Sequence, residues 1–293
     1  MQDSHVVIRQ LVQAALDEDI GPGDLTSRAC LEPNPVTAEI VAKCDGVLSG
    51  LEPALLVFDI VDSANVVTSC FQNGDRFKNG DRILTIEGFN QTVMTSERTA
   101  LNFLAHLSGI ATLTRRFVDL ISHTDCTILD TRKTTPSWRL LEKMAVVHGG
   151  GQNHRMGLYD LILIKDNHIA SAGSIEAAVT LARGFLRSGD YILQFDTPAG
   201  EMKIEIEVTN TEQVIEALNA NADILLLDNQ GIDSLRELVA TARRINPLVK
   251  LEASGNVNLD TVKAIAETGV DFISIGALTH SAPAADFSLR VID

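Results

Sequence analysis

The stretch from Asp130 to His168 concentrates positive charge in a chain whose formal net charge is −15. Six lysines and arginines fall within it, namely Arg132, Lys133, Arg139, Lys143, Arg155 and Lys165. Three of the seven histidines lie there as well, at His148, His154 and His168. Several cations that meet at one place in an acidic protein form a site for a small anion. We therefore expect a pocket for a polyanionic small molecule.

Two carboxylates and two lysines are predicted to face this pocket. Apolar runs end at or beside Lys165, Glu207 and Asp228, and Lys133 follows another such run closely. A single residue of this kind is usually a solvated charge or a cap, so the prediction depends on one fold bringing the set together. Carboxylates that face a polyphosphate imply Mg²⁺, which takes most of its ligands from substrate oxygens and water. Asn229 is placed to join that shell.

Two glycine-bearing turns follow the last two apolar runs of the chain. One contains Ser254, Gly255 and Asn256, and the other begins at Gly276. Bare N–H groups in such turns suit a phosphate, and the last two strand-to-helix loops are the usual phosphate site of α/β barrels. The alternative is ordinary helix capping by Ser254 and Thr279, and the occurrence of two such turns favours phosphate.

Arg132, His154 and Arg155 suit the recognition of carboxylates, with Arg98 as a further candidate. Arginine binds planar carboxylates through two parallel hydrogen bonds. His154 is interpreted either as a general base or as a hydrogen-bond donor to a carboxylate. Arg98 is interpreted either as an anion-binding residue or as an exposed arginine paired with Glu97. The set favours a dianionic ligand.

An alternation of strands and helices beyond Asp125 explains how these side chains meet. Apolar runs at 126–130, 161–165, 204–208, 224–228, 249–253 and 271–275 alternate with amphipathic stretches. Ends of parallel strands share one face of an α/β barrel. We predict a barrel of fewer than eight units, with a doubly wound open sheet as the alternative, and an inserted hairpin at 187–203.

The first hundred residues are predicted to form a separate small α+β domain. Residues 6–19 have helical periodicity, and short β-type runs fill residues 36–87. An Asn-Gly-Asp-Arg repeat at Asn73 and Asn79 predicts a hairpin. A long helix is then expected to begin with Ser96 as its N-cap, which places Arg98 in its first turn. The domain boundary is predicted at this helix.

Composition narrows the function further. The chain has 24 Lys and Arg against 39 Asp and Glu, which argues against nucleic acid and anionic membranes as partners. No apolar run is long enough to span a membrane, and the acidic N-terminus does not resemble a signal peptide. The four cysteines lack the spacing of a zinc site or a disulfide framework. A cytoplasmic location is expected.

The chain resembles the quinolinate phosphoribosyltransferases over nearly its whole length. DTRKTTP at 130–136 and LIKDNH at 163–168 are the most specific motifs. EDIGPGDLTS, TSERTALNFLAHLSGIAT, RLLEK, GGGQNHRMGLYD, IEIEV, LLLDN, EASGNV and VDFISIGALTHS follow the family's order.

The resemblance implies an N-terminal α/β sandwich domain and a C-terminal incomplete (β/α) barrel. It assigns residues 1–100 to the first domain and 101–280 to the barrel, with the tail 281–293 returning to the first domain. It also implies a homodimer, or a higher oligomer, in which each active site is completed by the neighbouring subunit.

The resemblance further implies transfer of phosphoribosyl from phosphoribosyl pyrophosphate to quinolinate with decarboxylation, in NAD biosynthesis. Lys133 and Lys165 would bridge the two substrates, and Glu207 and Asp228 would serve the ribose hydroxyls and Mg²⁺. The remaining assigned residues would bind substrate: Arg98 from the other subunit, Thr131, Arg132, His154, Arg155, Asn229, Ser254, Gly255, Asn256 and Gly276.

Two features differ from the family's usual pattern. Ser137-Trp138 replaces Gly-Leu or Gly-Phe, and the 187–203 segment is longer than usual. A paralogue that acts on another base is one rival interpretation. A Schiff-base aldolase that uses Lys165 is a second rival, and a metabolite-binding protein without catalysis is a third.

Overall fold

A computed structural model describes residues 4–189, residue 192 and residues 202–292. The chain divides into two compact units. The first comprises Met1–Arg115, Lys133–Gly151 and Ala277–Asp293, and the second comprises Arg116–Arg132 and Gln152–Gly276. Among the described helices, none combines the length and the apolarity needed to cross a membrane.

The first unit contains the strands β1 (Pro35–Ala42), β2 (Gly46–Val47), β3 (Val66–Thr68), β4 (Arg76–Phe77), β5 (Arg82–Phe89) and β12 (Phe287–Val291). Four of them form an antiparallel sheet in the order β12-β1-β5-β3. The other two, β2 and β4, form a separate short ladder. Because β12 pairs with β1, the C-terminal tail lies in this sheet.

The first unit also contains helices. They are α1 (Ser4–Ile20), α2 (Leu25–Cys30), α3 (Leu51–Val61), α4 (Asn90–Ile121), α5 (Arg139–His148) and α11 (Ala277–His280). In α1 the buried residues are Ile8, Val12 and Leu16, which recur every four positions as the helical periodicity predicted. The helix ends at Ile20, and the next residue, Gly21, has a φ of 50° that favours glycine.

The Asn-Gly-Asp-Arg repeat forms two equivalent turns rather than a hairpin. In each copy an aspartate, Asp75 or Asp81, accepts a hydrogen bond from the backbone N–H three residues earlier, at 2.7 Å in both. The glycines at 74 and 80 take positive φ. The prediction of a hairpin was wrong because the strand between the turns, β4, pairs with β2.

The prediction that Ser96 caps the long helix was also wrong. Helix α4 begins at Asn90, directly after β5 ends at Phe89, so no turn residues separate the strand from the helix. Ser96 lies inside the helix, and its hydroxyl donates to the carbonyl of Thr92 at 2.8 Å. Arg98 therefore lies beyond the first turn, where the positive end of the helix dipole is weak.

Within its described residues, the second unit contains six strands: β6 (Thr127–Leu129), β7 (Ile162–Ile164), β8 (Ile204–Val208), β9 (Ile224–Asp228), β10 (Lys250–Ser254) and β11 (Phe272–Ser274). They form a parallel sheet in the order β6-β11-β10-β9-β8-β7. All six predicted runs are confirmed. The sheet ends at β6 and β7, which do not pair with each other, so the incomplete barrel is confirmed as well.

Helices connect these strands. They are α6 (Asp166–Ala172), α7 (Ile175–Ser188), α8 (Thr211–Asn219), α9 (Ile232–Ile245) and α10 (Val262–Ala266). In α9 the buried apolar residues Leu235, Leu238, Val239 and Ala242 follow the spacing expected of an amphipathic helix. The hairpin predicted at 187–203 lies for the most part outside the described residues.

Candidate active site at the strand ends

The carboxyl ends of the second unit's strands hold most of the predicted site residues. Lys165 follows β7, Glu207 lies on β8, Asp228 ends β9, Ser254 ends β10 and Gly276 follows β11 closely. Neighbouring strands are in parallel register, with Ser254 opposite Asp228 and Glu207 opposite Leu226. The fold therefore brings these side chains to one edge, as the alternating pattern predicted.

Lys165, after β7, and Glu207, on the neighbouring strand β8, form an ion pair. The ammonium Nζ lies 3.2 Å from Glu207 Oε2, and the side chains are 45% and 14% exposed. The backbone N–H of Lys165 donates to Nδ1 of His168 at 3.0 Å. His168, the last residue of the LIKDNH motif, therefore fixes the backbone at Lys165.

Asp228 is oriented by two side-chain donors. The Ser254 hydroxyl donates to Oδ1, and the Asn229 amide donates to Oδ2 at 2.6 Å. Asn256 in turn donates to the side-chain oxygen of Asn229 at 3.3 Å. These bonds leave the carboxylate in one defined orientation, as a group that contacts a ligand requires.

The turn after β10 has an unusual backbone that keeps it close to β9. Gly255 has φ of 92°, and both Asn229 and Asn256 also take positive φ. A Cβ on Gly255 would lie 2.1 Å from the side-chain oxygen of Asn229, so only glycine fits without displacement. Residues 255–261 separate β10 from α10, so Ser254 does not cap a helix, and the alternative of helix capping at this turn was wrong.

The second glycine turn differs from the first. Gly276 is followed at once by the short helix α11. Thr279, proposed as the capping alternative, lies within that helix, and its hydroxyl donates to the carbonyl of Lys133 at 2.8 Å. Thr279 therefore holds the backbone of the DTRKTTP segment instead of capping α11.

Arg132 and Arg155 lie close enough to repel each other. Burial lowers the pKa of Arg155, and the positive charge of Arg132 lowers it further. Glu205 and Asp160 act in the opposite direction on the same pKa. Two arginines that share a half-buried place attract an anion strongly, because a bound dianion relieves both the repulsion and the incomplete solvation.

His154 is engaged through both ring nitrogens. Nε2 lies 3.0 Å from Glu205 Oε2 and 3.5 Å from Glu252 Oε2, and Nδ1 accepts the backbone N–H of Arg155 at 2.7 Å. The side chain is only 10% exposed. Because Nδ1 accepts a hydrogen bond, the proton resides on Nε2 and points to Glu205.

The sequence analysis missed Glu205 and Glu252, which are fully or almost fully buried. Burial and, after it, the neighbouring charge of Glu205 raise the pKa of Glu252 to about 8, against the opposing charge of His154 and a hydrogen bond with Ser274. A charged residue in the interior of an apolar strand was the available signal, as in IEIEV. His154, Glu205 and Glu252 also have the donor types of a metal site.

The remaining candidates belong partly to the first unit. Arg98 is exposed on α4, and Lys133 is exposed in the segment after β6. Thr131 and Gly276 are half-buried in the second unit.

Ser137 shows how this chain accommodates its departure from the family's usual glycine. Its φ is 67°, the left-handed conformation that glycine adopts without strain. The neighbouring Trp138 stacks on Phe103 with ring centroids 4.9 Å apart. The N–H of Thr135 donates to buried Glu142 at 3.1 Å. The segment is thus held by packing and hydrogen bonding within the first unit.

Comparison with known proteins extends these observations. Residues 24–108 match the family model described as quinolinate phosphoribosyl transferase, N-terminal domain, and residues 110–290 match that of the C-terminal domain. A probable nicotinate-nucleotide pyrophosphorylase [carboxylating] of Bacillus subtilis is 40% identical, covering 98% of this chain and 94% of the relative. A protein of the same description from Synechocystis is 39% identical, covering 98% and 93%.

A solved structure gives the same result for the fold. The nicotinate-nucleotide pyrophosphorylase from Francisella tularensis superposes with a TM-score of 0.91 at 39% identity, covering 99% of this chain and 98% of that one. The similarity includes both units and nearly every residue.

Proposed function

The chain belongs to the quinolinate phosphoribosyltransferase family, and we propose that it transfers the phosphoribosyl group of phosphoribosyl pyrophosphate to quinolinate. The products are nicotinate mononucleotide, pyrophosphate and CO₂. The names of its relatives and the match of both domains support this reaction. The protein is then a pentosyltransferase that decarboxylates its product.

One observation in the structure carries the proposal. Two mutually repelling arginines, Arg132 and Arg155, belong to the same unit as the ordered carboxylates Glu207 and Asp228. Two adjacent carboxylates on an aromatic ring, as in quinolinate, can each pair with one of the two guanidinium groups. The ribose becomes positively charged as pyrophosphate departs, and the two carboxylates can stabilise that charge. Both halves of the reaction thus have complementary charges in the protein.

The proposed chemistry needs no covalent bond to the protein. The pyridine nitrogen attacks C1 of the donor as the bond from C1 to the pyrophosphate oxygen breaks. Glu207 and Asp228 stabilise the developing positive charge on the ribose and bind its hydroxyls. Lys133 and Lys165 neutralise charge on quinolinate and the donor. The C2 carboxylate is then lost as CO₂, because the positive charge of the quaternised nitrogen stabilises the electron pair that remains on C2, and C2 takes a proton.

The phosphate of the donor is proposed to bind at the turns after β10 and β11. Ser254, Gly255 and Gly276 are the residues concerned, with Thr131, Asn229 and Asn256 beside them. The close approach of Gly255 to Asn229 leaves no room for a side chain at residue 255, and turns without side chains suit the binding of a phosphate by backbone N–H groups.

We propose Mg²⁺ as the cofactor, held by Glu207 and Asp228 largely through water and substrate oxygens. Carboxylate oxygens on adjacent strands are ligands of the kind that Mg²⁺ prefers. Asp228 is oriented by two donors, and Glu207 keeps 14% of its side chain exposed. When bound, the ion would neutralise the pyrophosphate.

The structure gives little support to the aldolase alternative. A lysine that forms a Schiff base is made nucleophilic by apolar surroundings or by another cation. Lys165 instead pairs with a carboxylate and is 45% exposed. Borohydride trapping with a carbonyl substrate should therefore give no adduct, whereas an aldolase would give one.

The direct test is release of pyrophosphate from phosphoribosyl pyrophosphate and Mg²⁺ with quinolinate or nicotinate as the base. We expect turnover of quinolinate with an equal amount of CO₂ and little turnover of nicotinate. Turnover of neither base would refute the function and favour a paralogue that acts on a different base. Binding of quinolinate without pyrophosphate release would favour a metabolite-binding protein.

Substitution of Arg132 tests how the base is recognised. Arg132→Ala should raise KM for quinolinate by at least about tenfold and KM for the donor much less. Arg236→Ala is the matched control, because that arginine is exposed and pairs with Asp233 on α9. Equal effects of Arg132→Ala on both substrates would contradict the assignment.

We also propose a homodimer whose active sites each receive Arg98 from the other subunit. The exposure of Arg98 on α4 is compatible with this role. Arg98→Ala and Lys165→Ala would each inactivate a homodimer. After co-refolding of equal amounts, about one quarter of the wild-type activity should return, because half of the dimers are mixed and each contains one intact site. No recovery from a verified mixed dimer would refute the shared site.

A further inference from the structure

The segment that bears Arg155 has an unusual source of order. It forms neither helix nor strand, yet its successive backbone N–H groups donate to side chains. That of His154 donates to buried Asp130 at 2.9 Å, and that of Arg155 to the His154 ring at 2.7 Å. The next two donate to Asp160, at 2.6 and 3.0 Å. The backbone around Arg155 is therefore held by side-chain acceptors.

Two buried glutamates lie beside Nε2 of the His154 ring. Glu205 Oε2 accepts from Nε2 at 3.0 Å, and Glu252 Oε2 lies 3.5 Å away. The second oxygen of Glu205 is buried and has no hydrogen-bond partner within the described part of the chain. A buried carboxylate with one oxygen left without a hydrogen bond is costly, which indicates that Glu205 serves a purpose beyond packing.

The nearby charges suggest what that purpose is. Glu205 raises the pKa of Arg155, opposing the effects of burial and of Arg132. The glutamate thus stabilises the cation electrostatically while the histidine fixes its backbone. A metal ion among His154, Glu205 and Glu252 is the competing explanation, but its charge would add to that of the two arginines.

We propose that His154 is a positioning residue: buried Glu205 orients its ring through Nε2, and Nδ1 holds the backbone of Arg155, so that the Arg155 guanidinium stays beside Arg132 for a dicarboxylate. In the free protein Nε2 points to Glu205 and is therefore not directed at a ligand. This role differs from the direct contact with substrate that the family resemblance implies. The proposal rests on the proposed function for the identity of the dicarboxylate.

Binding of phthalate tests the proposal without requiring turnover. Phthalate is an aromatic ring with adjacent carboxylates, and calorimetry measures its affinity directly. His154→Asn keeps an acceptor near the position of Nδ1, whereas His154→Gln keeps a donor near the position of Nε2. We expect His154→Asn to lose about threefold in affinity and His154→Gln to lose about tenfold. The reverse order would show a direct Nε2 contact and overturn the proposal.

A double-mutant cycle provides the second criterion. If His154 acts through Arg155, His154→Gln should cost little further affinity in an Arg155→Ala background. Independent losses that multiply would overturn the proposal. His123→Gln is the matched control, because His123 also pairs with a glutamate, Glu267, at 3.0 Å but is exposed.

Two measurements cover the possibility that the His154 variants do not fold. In ¹⁵N NMR of the histidine-labelled wild-type protein, one ring should show the Nε2–H tautomer, unchanged by phthalate. This signal should be perturbed in Glu205→Gln, which keeps the size of the side chain. A shift of the wild-type ring to another tautomer on binding would overturn the proposal. So would a stoichiometric metal that is lost in Glu205→Gln.

The outcomes separate this proposal from the proposed function. A wild-type protein that binds phthalate but releases no pyrophosphate would refute the function and leave the cycle to decide the role of His154. Turnover of quinolinate together with independent losses in the double-mutant cycle would support the function and overturn the positioning role of His154. Failure of the wild-type protein to bind phthalate would overturn the positioning role, because no dicarboxylate would then depend on Arg155.

Discussion

Glu252→Gln should remove a specific pH dependence from the stability of this protein. Glu252 is buried on β10 beside Glu205, and burial, then the charge of Glu205, raises its pKa to about 8. In an unfolded chain a glutamate titrates at about 4.3. Between these values the folded protein binds more protons at this position than the unfolded chain does. The free energy of unfolding therefore falls as the pH rises through this window.

The magnitude follows from the width of the titration. One pKa unit corresponds to about 1.4 kcal/mol, and the full slope applies until the pH approaches the folded-state pKa. Between about pH 6 and pH 8 the contribution of Glu252 should thus fall by about 2 kcal/mol. Glutamine keeps the shape of the side chain and has no charge to gain. Relative to wild type, the variant should gain that amount over this range.

Urea unfolding of both proteins at about pH 6, 7 and 8 measures this difference. Comparing variant with wild type at each pH cancels other titrations. One of these is that of His148, whose pKa is lowered by burial and which makes stability rise with pH. Glu237→Gln, on the exposed face of α9, controls for the exchange of carboxylate for amide. A difference for Glu252→Gln that stays constant within about 0.5 kcal/mol would refute the reasoning.

Three further predictions concern other parts of the chain. Ser137→Gly should raise the free energy of unfolding by about 0.5–1 kcal/mol, because glycine adopts the left-handed conformation without strain and this gain exceeds the cost of its greater entropy in the unfolded chain. A loss of stability would contradict this prediction. Burial raises the pKa of Cys126 to about 12, so a thiol reagent near pH 8 should modify the exposed Cys30 and Cys70 far faster than Cys126. Mass spectrometry would measure the three rates, and equal rates would refute the prediction. Gly255→Ala should raise KM for the phosphoribosyl donor by about tenfold by displacing Asn229, and an unchanged value would argue against a donor site there.

The strands of the second unit could be predicted because their sequences are decisive. Buried parallel strands are rich in apolar residues, and each run here is followed by a polar residue or a glycine. The site residues at strand ends followed from that placement, since parallel strands direct their ends to one edge. The ion pair of Lys165 with Glu207 and the hydrogen bonds to Asp228 are consequences of it.

The start of α4 could not be predicted for a physical reason. Helix starts are recognised by a capping residue after a loop, and here the strand β5 passes directly into the helix at Asn90. The first turn contains Thr92 and Val93, residue types that favour strands, so local propensity gave no warning. Ser96 had the right residue type for a cap but occupies a helix interior.

The depth of each glutamate in β8 explains why one was found from the sequence and the other was not. Glu205 and Glu207 alternate with apolar residues and point to the same face of the strand. Glu207, nearer the carboxyl end, remains 14% exposed and pairs with Lys165, whereas Glu205 is fully buried and contacts His154, 51 residues earlier. Sequence alone marks both as acidic residues within a strand. Their different partners arise from long-range contacts, and on those contacts rest the proposals that Glu207 serves the ligand and that Glu205 supports Arg155.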